Sequence, residues 1–183
     1  MYVKIALIMK VAKLSHQTAI GLVAKLPVGK RLVLPSAQKW DVLIVVKECD
    51  PLNSRFQKSL SQNIDDLSKR SQIIKALDEL YSAVSEEDYQ GALSQSGVTC
   101  KIAHSFTYAN GSYKVWELKP NNKDRIYFFP LPEKLNGRKA IFLMLGYHKK
   151  DQQTPKEIKD YCEESIKEIL QSKDKILICK ERK

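Results

Sequence analysis

A basic segment in the C-terminal half carries residue types suited to acid–base chemistry and to anion binding. His148 is followed directly by Lys149 and Lys150, and Arg125 precedes them in a strand-like segment. An imidazole titrates near neutral pH, so His148 could accept or donate a proton. A guanidinium can hold two oxygens of one anion at once, which makes Arg125 a candidate for gripping an oxyanion.

Plainer interpretations of these side chains stay open. A lone histidine at a strand end is often structural or solvated. Arg125 could form an ion pair with Asp124 beside it or with Glu117. The remaining histidines, His16 and His104, stand in no comparable pattern. The strands and helices that position these residues therefore determine which interpretation holds, because they fix which side chains lie close together.

Charge points to a polyanionic partner and is unevenly distributed. The chain of 183 residues has 31 Lys and Arg against 21 Asp and Glu, a net charge of +10. Residues 1–47 carry +7, residues 48–100 carry −4 and residues 101–183 carry +7. Nucleic acid, an anionic membrane surface or an acidic protein would suit such an excess, and simple solubility is the alternative.

The cysteines and the apolar runs bear on compartment and cofactors. The four cysteines (Cys49, Cys100, Cys162 and Cys179) show no CxxC spacing and no histidine at a ligand interval, so we expect reduced thiols and no metal site. No run reaches the roughly 18 apolar residues that a membrane helix needs. Lysines interrupt the apolar start, which makes it a poor signal peptide. We expect a cytoplasmic protein without cofactors.

Hydrophobic periodicity predicts an α+β domain over residues 41–183, preceded by an N-terminal extension of unknown role at 1–40. A β-branched strand at 41–47 is followed by a helical hairpin or broken helix capped near Asn53 or Ser54. Thr154 and Glu157 form a capping box that begins the last helix. Between them we expect antiparallel strands at 113–119, 125–129 and 140–145, with 102–108 as a possible fourth and 175–180 as a short last strand.

Four consecutive segments resemble a known family. They read WELKP at 116–120, DRIYFF at 124–129, IFLMLGYHKK at 141–150 and QTPKEI at 153–158. This order is similar to the HigB-like branch of the RelE/ParE superfamily, the toxins of type II toxin–antitoxin systems. The resemblance is close over about sixty residues and extends loosely over 41–170. It implies a small antiparallel sheet on which a helical hairpin and a C-terminal helix pack.

The resemblance also implies an activity. Such a toxin is a metal-independent endoribonuclease that cleaves mRNA on the ribosome, and a helix-turn-helix antitoxin neutralises it. RNA supplies its own 2′-hydroxyl nucleophile, so cleavage needs positioned cations and proton-transfer groups. The catalytic residues implied are Arg125, His148, Lys149 and Lys150. The RNA-binding residues implied are Lys119, Lys123, Tyr127 and Tyr147, although either tyrosine could instead belong to the core.

Departures from the family pattern keep other functions open. Lys119 stands where the family has arginine, and Asp151 adds an acid to the basic segment before the last helix. The first alternative is a ParE-like inhibitor of DNA gyrase, which would bind rather than cleave. The second is a non-catalytic RNA-binding descendant of the toxin fold.

Overall fold

The computed structural model describes residues 8–24, 38–151 and 153–180, and one sheet connects all three ranges. In chain order the elements are β1 (Met9–Lys13), α1 (His16–Val23), β2 (Trp40–Lys47), β3 (Asp50–Ser54), α2 (Arg55–Asn63), α3 (Leu67–Ala83), α4 (Tyr89–Ser94), β4 (Thr99–Tyr108), β5 (Gly111–Lys119), β6 (Asp124–Leu135), β7 (Arg138–His148), α5 (Lys156–Ser172), a 3-10 turn (Lys173–Lys175) and β8 (Ile176–Cys179).

The sheet has eight strands in the order β4-β5-β6-β7-β2-β1-β8, and β3 pairs with β2 off this path. Most neighbours are antiparallel. The exceptions are β2 with β7 and β1 with β8, which run in parallel. Parallel neighbours need a crossover connection, and α2, α3 and α4 lie in the chain between β2 and β7.

The small antiparallel RelE-like sheet predicted from the sequence is wrong. The structure is α+β, but its sheet is larger and mixed. Two elements widen it: β1, which lies within the segment predicted as an N-terminal extension, and β8 at the other terminus. Because β1 pairs with both β2 and β8, residues 8–24 are part of the same core, while 25–37 of that segment lie outside the described residues.

Local sequence signals account for most of the elements. Ser54 caps α2 by accepting a hydrogen bond from the backbone of Gln57, and α3 follows as the second arm of the predicted hairpin. Asn110 and Asn136 adopt positive φ in the β4–β5 and β6–β7 turns, a conformation that asparagine tolerates. The predicted capping box is wrong, because α5 begins after Pro155 without a side-chain cap.

The sheet separates two cores. On one side, called the helical face, α1, α2, α3 and α4 cover the strands; on the other side, called the α5 face, α5 packs alone among the described helices. Successive strand residues point to opposite sides. Side chains buried on the helical face include those of Ile44, Ile126, Phe128, Ile141 and Leu77. Those buried on the α5 face include Leu43, Tyr127, Phe129, Phe142 and Ile166.

A disulfide joins two distant parts of the chain. Cys49, in the turn after β2, bonds to Cys179 at the end of β8 across 130 residues of sequence. The prediction of four reduced thiols is therefore wrong for this pair, while Cys100 and Cys162 are free. None of the helices in the described ranges is long and apolar enough to cross a membrane.

Candidate functional site

The predicted site residues gather where β5, β6 and β7 meet at one end of the sheet. In the antiparallel register Arg125 lies opposite Tyr147, and Asp124 lies opposite His148. Adjacent residues of a strand point to opposite faces, so these two pairs diverge. Arg125 points to the α5 face, where it meets Glu117, and His148 points to the helical face.

Arg125 is buried and occupied by the chain around it. Its side chain donates hydrogen bonds to the carbonyl oxygens of Asn121, Asn122 and Asp124 at 2.7–2.8 Å. Its Nε lies 3.4 Å from Glu117 Oε2. The ion pair with Glu117, one of the plainer interpretations, is confirmed. Arg125 therefore holds the β5–β6 turn in place and is 4% exposed.

Other cations surround the same carboxylate. Lys101 Nζ lies 3.6 Å from Glu117 Oε1, while Lys119 and Lys149 complete a group that we call the Glu117 cluster. Burial lowers the pKa of Lys119, and the charges of Arg125 and Lys101 lower it further. The pKa of Lys149 is lowered by burial and then by Arg125. The cluster thus places four cations around one buried carboxylate.

The two tyrosines predicted to bind RNA differ in access. Tyr127 is fully buried, its hydroxyl lies 3.2 Å from Thr154 Oγ1, and burial raises its pKa to about 12. A side chain so enclosed belongs to the core and cannot stack on a base. Tyr147 is partly exposed, and burial followed by the charges of Glu157 and Asp151 raises its pKa. Only Tyr147 of the two can reach a ligand.

On the helical face His148 forms a pair with a buried carboxylate. Its Nδ1 lies 2.7 Å from Asp124 Oδ1, and Asn121 donates to the other carboxylate oxygen at 2.6 Å. Asp124 is 3% exposed and fixes the orientation of the imidazole. The pair lines an open cavity of about 440 Å³ together with Asp66, Ser68, Lys69, Asn121, Asn122 and Lys123.

The remaining predicted lysines lie beside the strand ends. Lys123 lines the cavity next to His148, and its carbonyl accepts a hydrogen bond from the backbone of Lys149 at 2.8 Å. Lys150 is exposed. The structure therefore brings Lys119, Tyr147 and Lys149 together above Arg125 on the α5 face. It places His148 and Lys123 on the other side of the sheet.

Sequence reasoning missed two members of the cluster. Glu117 was considered only as a partner of Arg125, and Lys101 was not considered. The Asn110–Gly111 turn could have indicated which β4 residues oppose β5. A β-bulge between Ile102 and His104 shifts that register by one residue, so the turn alone would misplace Lys101.

Within the described ranges no group of His, Cys, Asp and Glu residues could hold a metal ion. Comparison of the chain with protein-family models, with curated proteins and with solved structures gave no match.

Proposed function

We propose that this protein is a toxin-like, metal-independent endoribonuclease that binds RNA through the Glu117 cluster. The observation that carries the proposal is the surplus of positive charge around a single buried carboxylate on a partly open surface. Burial is the largest cause of the lowered pKa values of Lys119 and Lys149, and the charge of Arg125 lowers both further, because these cations repel one another. A bound phosphate would relieve that repulsion, which is why we assign the cluster to a polyanion.

RNA suits the cluster because the groups needed for cleavage lie side by side. In the proposed reaction the 2′-oxygen attacks phosphorus, its proton passes to solvent water, and the bond from phosphorus to the 5′-oxygen breaks. Lys149 donates a proton to that leaving oxygen, and Lys119 stabilises the charge on the phosphorane. The lowered pKa of Lys149 favours this role, because a more acidic ammonium donates its proton more readily.

Arg125 and His148 have different roles in this proposal from those implied by the family resemblance. Arg125 positions the β5–β6 turn and Glu117 and does not grip the phosphate. His148 is held by Asp124 on the helical face and takes no part in the step. Lys150 and Tyr147 stand near the strand ends, where they would contact the flanking nucleotides, whereas Lys123 lines the cavity on the helical face and takes no part.

The partners that this proposal gives the protein are mRNA on the ribosome and a helix-turn-helix antitoxin that covers the basic surface. Both would place the protein in the cytoplasm. Disulfides are rare in that compartment, so the Cys49–Cys179 pair offers a check. Alkylation of thiols at the moment of cell lysis should find these two cysteines reduced; an oxidised pair would count against the cytoplasmic placement.

A variant of Lys149 separates RNA binding from RNA cleavage. A single-stranded RNA is incubated with the protein in EDTA, and cleavage and affinity are both measured. Lys149→Arg keeps the charge but removes the proton donor, since arginine does not deprotonate in proteins. We expect near-normal affinity and cleavage reduced by about 100-fold or more. Lys114→Gln, an exposed lysine on the same strand as Glu117, serves as the control and should change neither quantity.

The outcomes distinguish the alternatives. RNA binding without cleavage by the unmodified protein would favour a non-catalytic RNA-binding module. Inhibition of DNA supercoiling by gyrase, with no effect on RNA, would favour a ParE-like activity. Cleavage that survives in Lys149→Arg would refute the role of Lys149 as the acid.

A further inference from the structure

A second open region of the α5 face is a cleft between α5, the first turn of α2 and the ends of β1 and β2. We call it the β2 cleft; its volume is about 880 Å³. Its floor is formed by apolar side chains, namely Met9, Val45, Phe142 and Met144. Tyr161, Ser165 and Glu168 of α5 form one wall, and Arg55 and Lys58 of α2 form another.

The cleft exposes apolar surface that the described part of the chain leaves uncovered. Val45 is 38% exposed although it lies in a central strand, and Ile8 at the rim is 59% exposed. On the helical face four helices cover the sheet, whereas α5 leaves the ends of β1 and β2 open on its own side. An apolar patch with a polar rim is typical of an interaction surface.

The rim of the cleft is positively charged. Lys10, Lys47, Arg55 and Lys58 line it, against the single carboxylate of Glu168. Among the described residues none of these four cations lies within ion-pair distance of a carboxylate. The Arg55 guanidinium instead lies over the Tyr161 ring, 3.7 Å from its centroid. The cleft thus combines an apolar floor with unneutralised cations.

We propose that the β2 cleft binds an acidic amphipathic helix of a partner protein, which packs beside α5. Such a helix would bury Val45 with its apolar stripe and complete the second layer over the sheet. Its flanking carboxylates would meet Lys47 and Lys58. This inference does not depend on the proposed ribonuclease activity, because the cleft shares no residue with the Glu117 cluster.

Other occupants fit the same surface less well. Single-stranded RNA is held largely by aromatic stacking, but Phe142 is 1% exposed and the Tyr161 ring is covered by Arg55. Small molecules are bound in pockets that bury most of their surface, whereas this cleft is open to solvent at Val45 and Ile8. A helix needs an open apolar groove, which is what Val45 and Met9 provide.

The test uses two synthetic helical peptides of about 18 residues, roughly 27 Å long. Both carry leucine at i, i+3, i+4 and i+7, and one is flanked by glutamate while the other is flanked by lysine. Fluorescence anisotropy measures their binding to the full chain. We expect saturable binding of the glutamate peptide and at least about tenfold weaker binding of the lysine peptide.

Variants locate the binding surface. Val45→Asn should weaken binding of the glutamate peptide by about tenfold. It replaces the exposed apolar part of the floor with a polar side chain and does not disturb a fully buried site. Lys47→Glu combined with Lys58→Glu should reverse the preference between the peptides. Leu52→Asn is the control, since Leu52 is 68% exposed and lies outside the cleft. Thermal unfolding of each variant verifies that it is folded.

Several results would overturn the proposal. Equal binding of both peptides, or affinity unchanged in Val45→Asn, would show that the cleft is not the site. Loss of peptide binding in Lys119→Gln/Lys149→Gln would move the site to the Glu117 cluster. If analytical ultracentrifugation shows self-association of the unmodified protein but not of Val45→Asn, a second copy of this chain occupies the cleft.

Discussion

The two faces of the sheet differ in how completely they are covered and in how their charges are neutralised. On the helical face four helices bury the strands, and the buried carboxylate there, Asp124, is hydrogen-bonded to both His148 and Asn121. On the α5 face one described helix leaves the Glu117 cluster and the β2 cleft open. Surplus charge and exposed apolar surface thus occur together where cover is thin, and this is where we place function.

The largest expected effect on stability comes from replacing Arg125. This residue lies on the α5 face, but its role is to hold the fold together rather than to bind RNA. Arg125→Met should destabilise the fold by about 3–5 kcal/mol, because it leaves Glu117 and three carbonyl groups without their buried partner. Urea unfolding measures the loss. Lys114→Gln on the neighbouring strand should change stability by less than about 0.5 kcal/mol. A stable Arg125→Met protein that has lost only RNA affinity would restore Arg125 as a phosphate ligand.

The Cys49–Cys179 disulfide ties β8, the edge strand of the sheet, to the turn after β2. Removing it tests how much this link stabilises the fold. In protein that has been purified and oxidised in air, Cys49→Ser/Cys179→Ser should lower the free energy of unfolding by about 2–5 kcal/mol, because the bond, once formed, closes a loop across most of the chain. Reductant should destabilise the unmodified protein by the same amount and leave the variant unaffected. If reductant changes neither protein, the bond does not form in solution.

Packing on the helical face can be tested at a glycine. A Cβ at Gly146 would lie 2.5 Å from Leu60 Cδ2, and Leu60 is too buried to move aside freely. We expect Gly146→Ala to lower the free energy of unfolding by about 1–3 kcal/mol, because the added methyl group overpacks the core. Gly21→Ala, in helix α1 where a Cβ meets nothing, should instead stabilise by about 0.5–1 kcal/mol. Equal effects of the two changes would mean that α2 does not approach β7 this closely.

Sequence reasoning predicted individual elements better than their assembly. The β5, β6 and β7 strands, the α2–α3 hairpin and α5 follow from periodicity and turn residues that act locally. The mixed eight-stranded sheet does not, because β1 and β8 pair across almost the whole chain and no local signal joins Met9 to Ile176. For the site, spacing placed Arg125 and His148 in neighbouring strands. It could not indicate that their register directs them to opposite faces, since that depends on β-bulges such as the one at Tyr127 and Phe128.

The smallest expected effect is the change with pH in the free energy of unfolding that the Glu117 cluster causes. The pKa values of Lys119 and Lys149 are lowered from 10.5 in the folded state, so the unfolded chain keeps their protons to a higher pH. The free energy of unfolding therefore rises with pH between the lowered values and 10.5. Lys119→Gln/Lys149→Gln should be more stable than the unmodified protein near pH 7, and the difference should shrink near pH 10. A difference that does not change with pH would mean that neither burial nor the neighbouring cations lower the pKa values of the two lysines in the folded state.

The most direct measurement of the central claim asks which face of the sheet contacts RNA. A single-stranded RNA containing 4-thiouridine is crosslinked to the protein by light, and the attached peptides are identified by mass spectrometry. We predict attachment at Lys119, Tyr147 or Lys149, and loss of that attachment in Lys119→Gln/Lys149→Gln but not in Lys114→Gln. Attachment confined to Lys69, Lys123 and His148 would place RNA on the helical face and contradict the account.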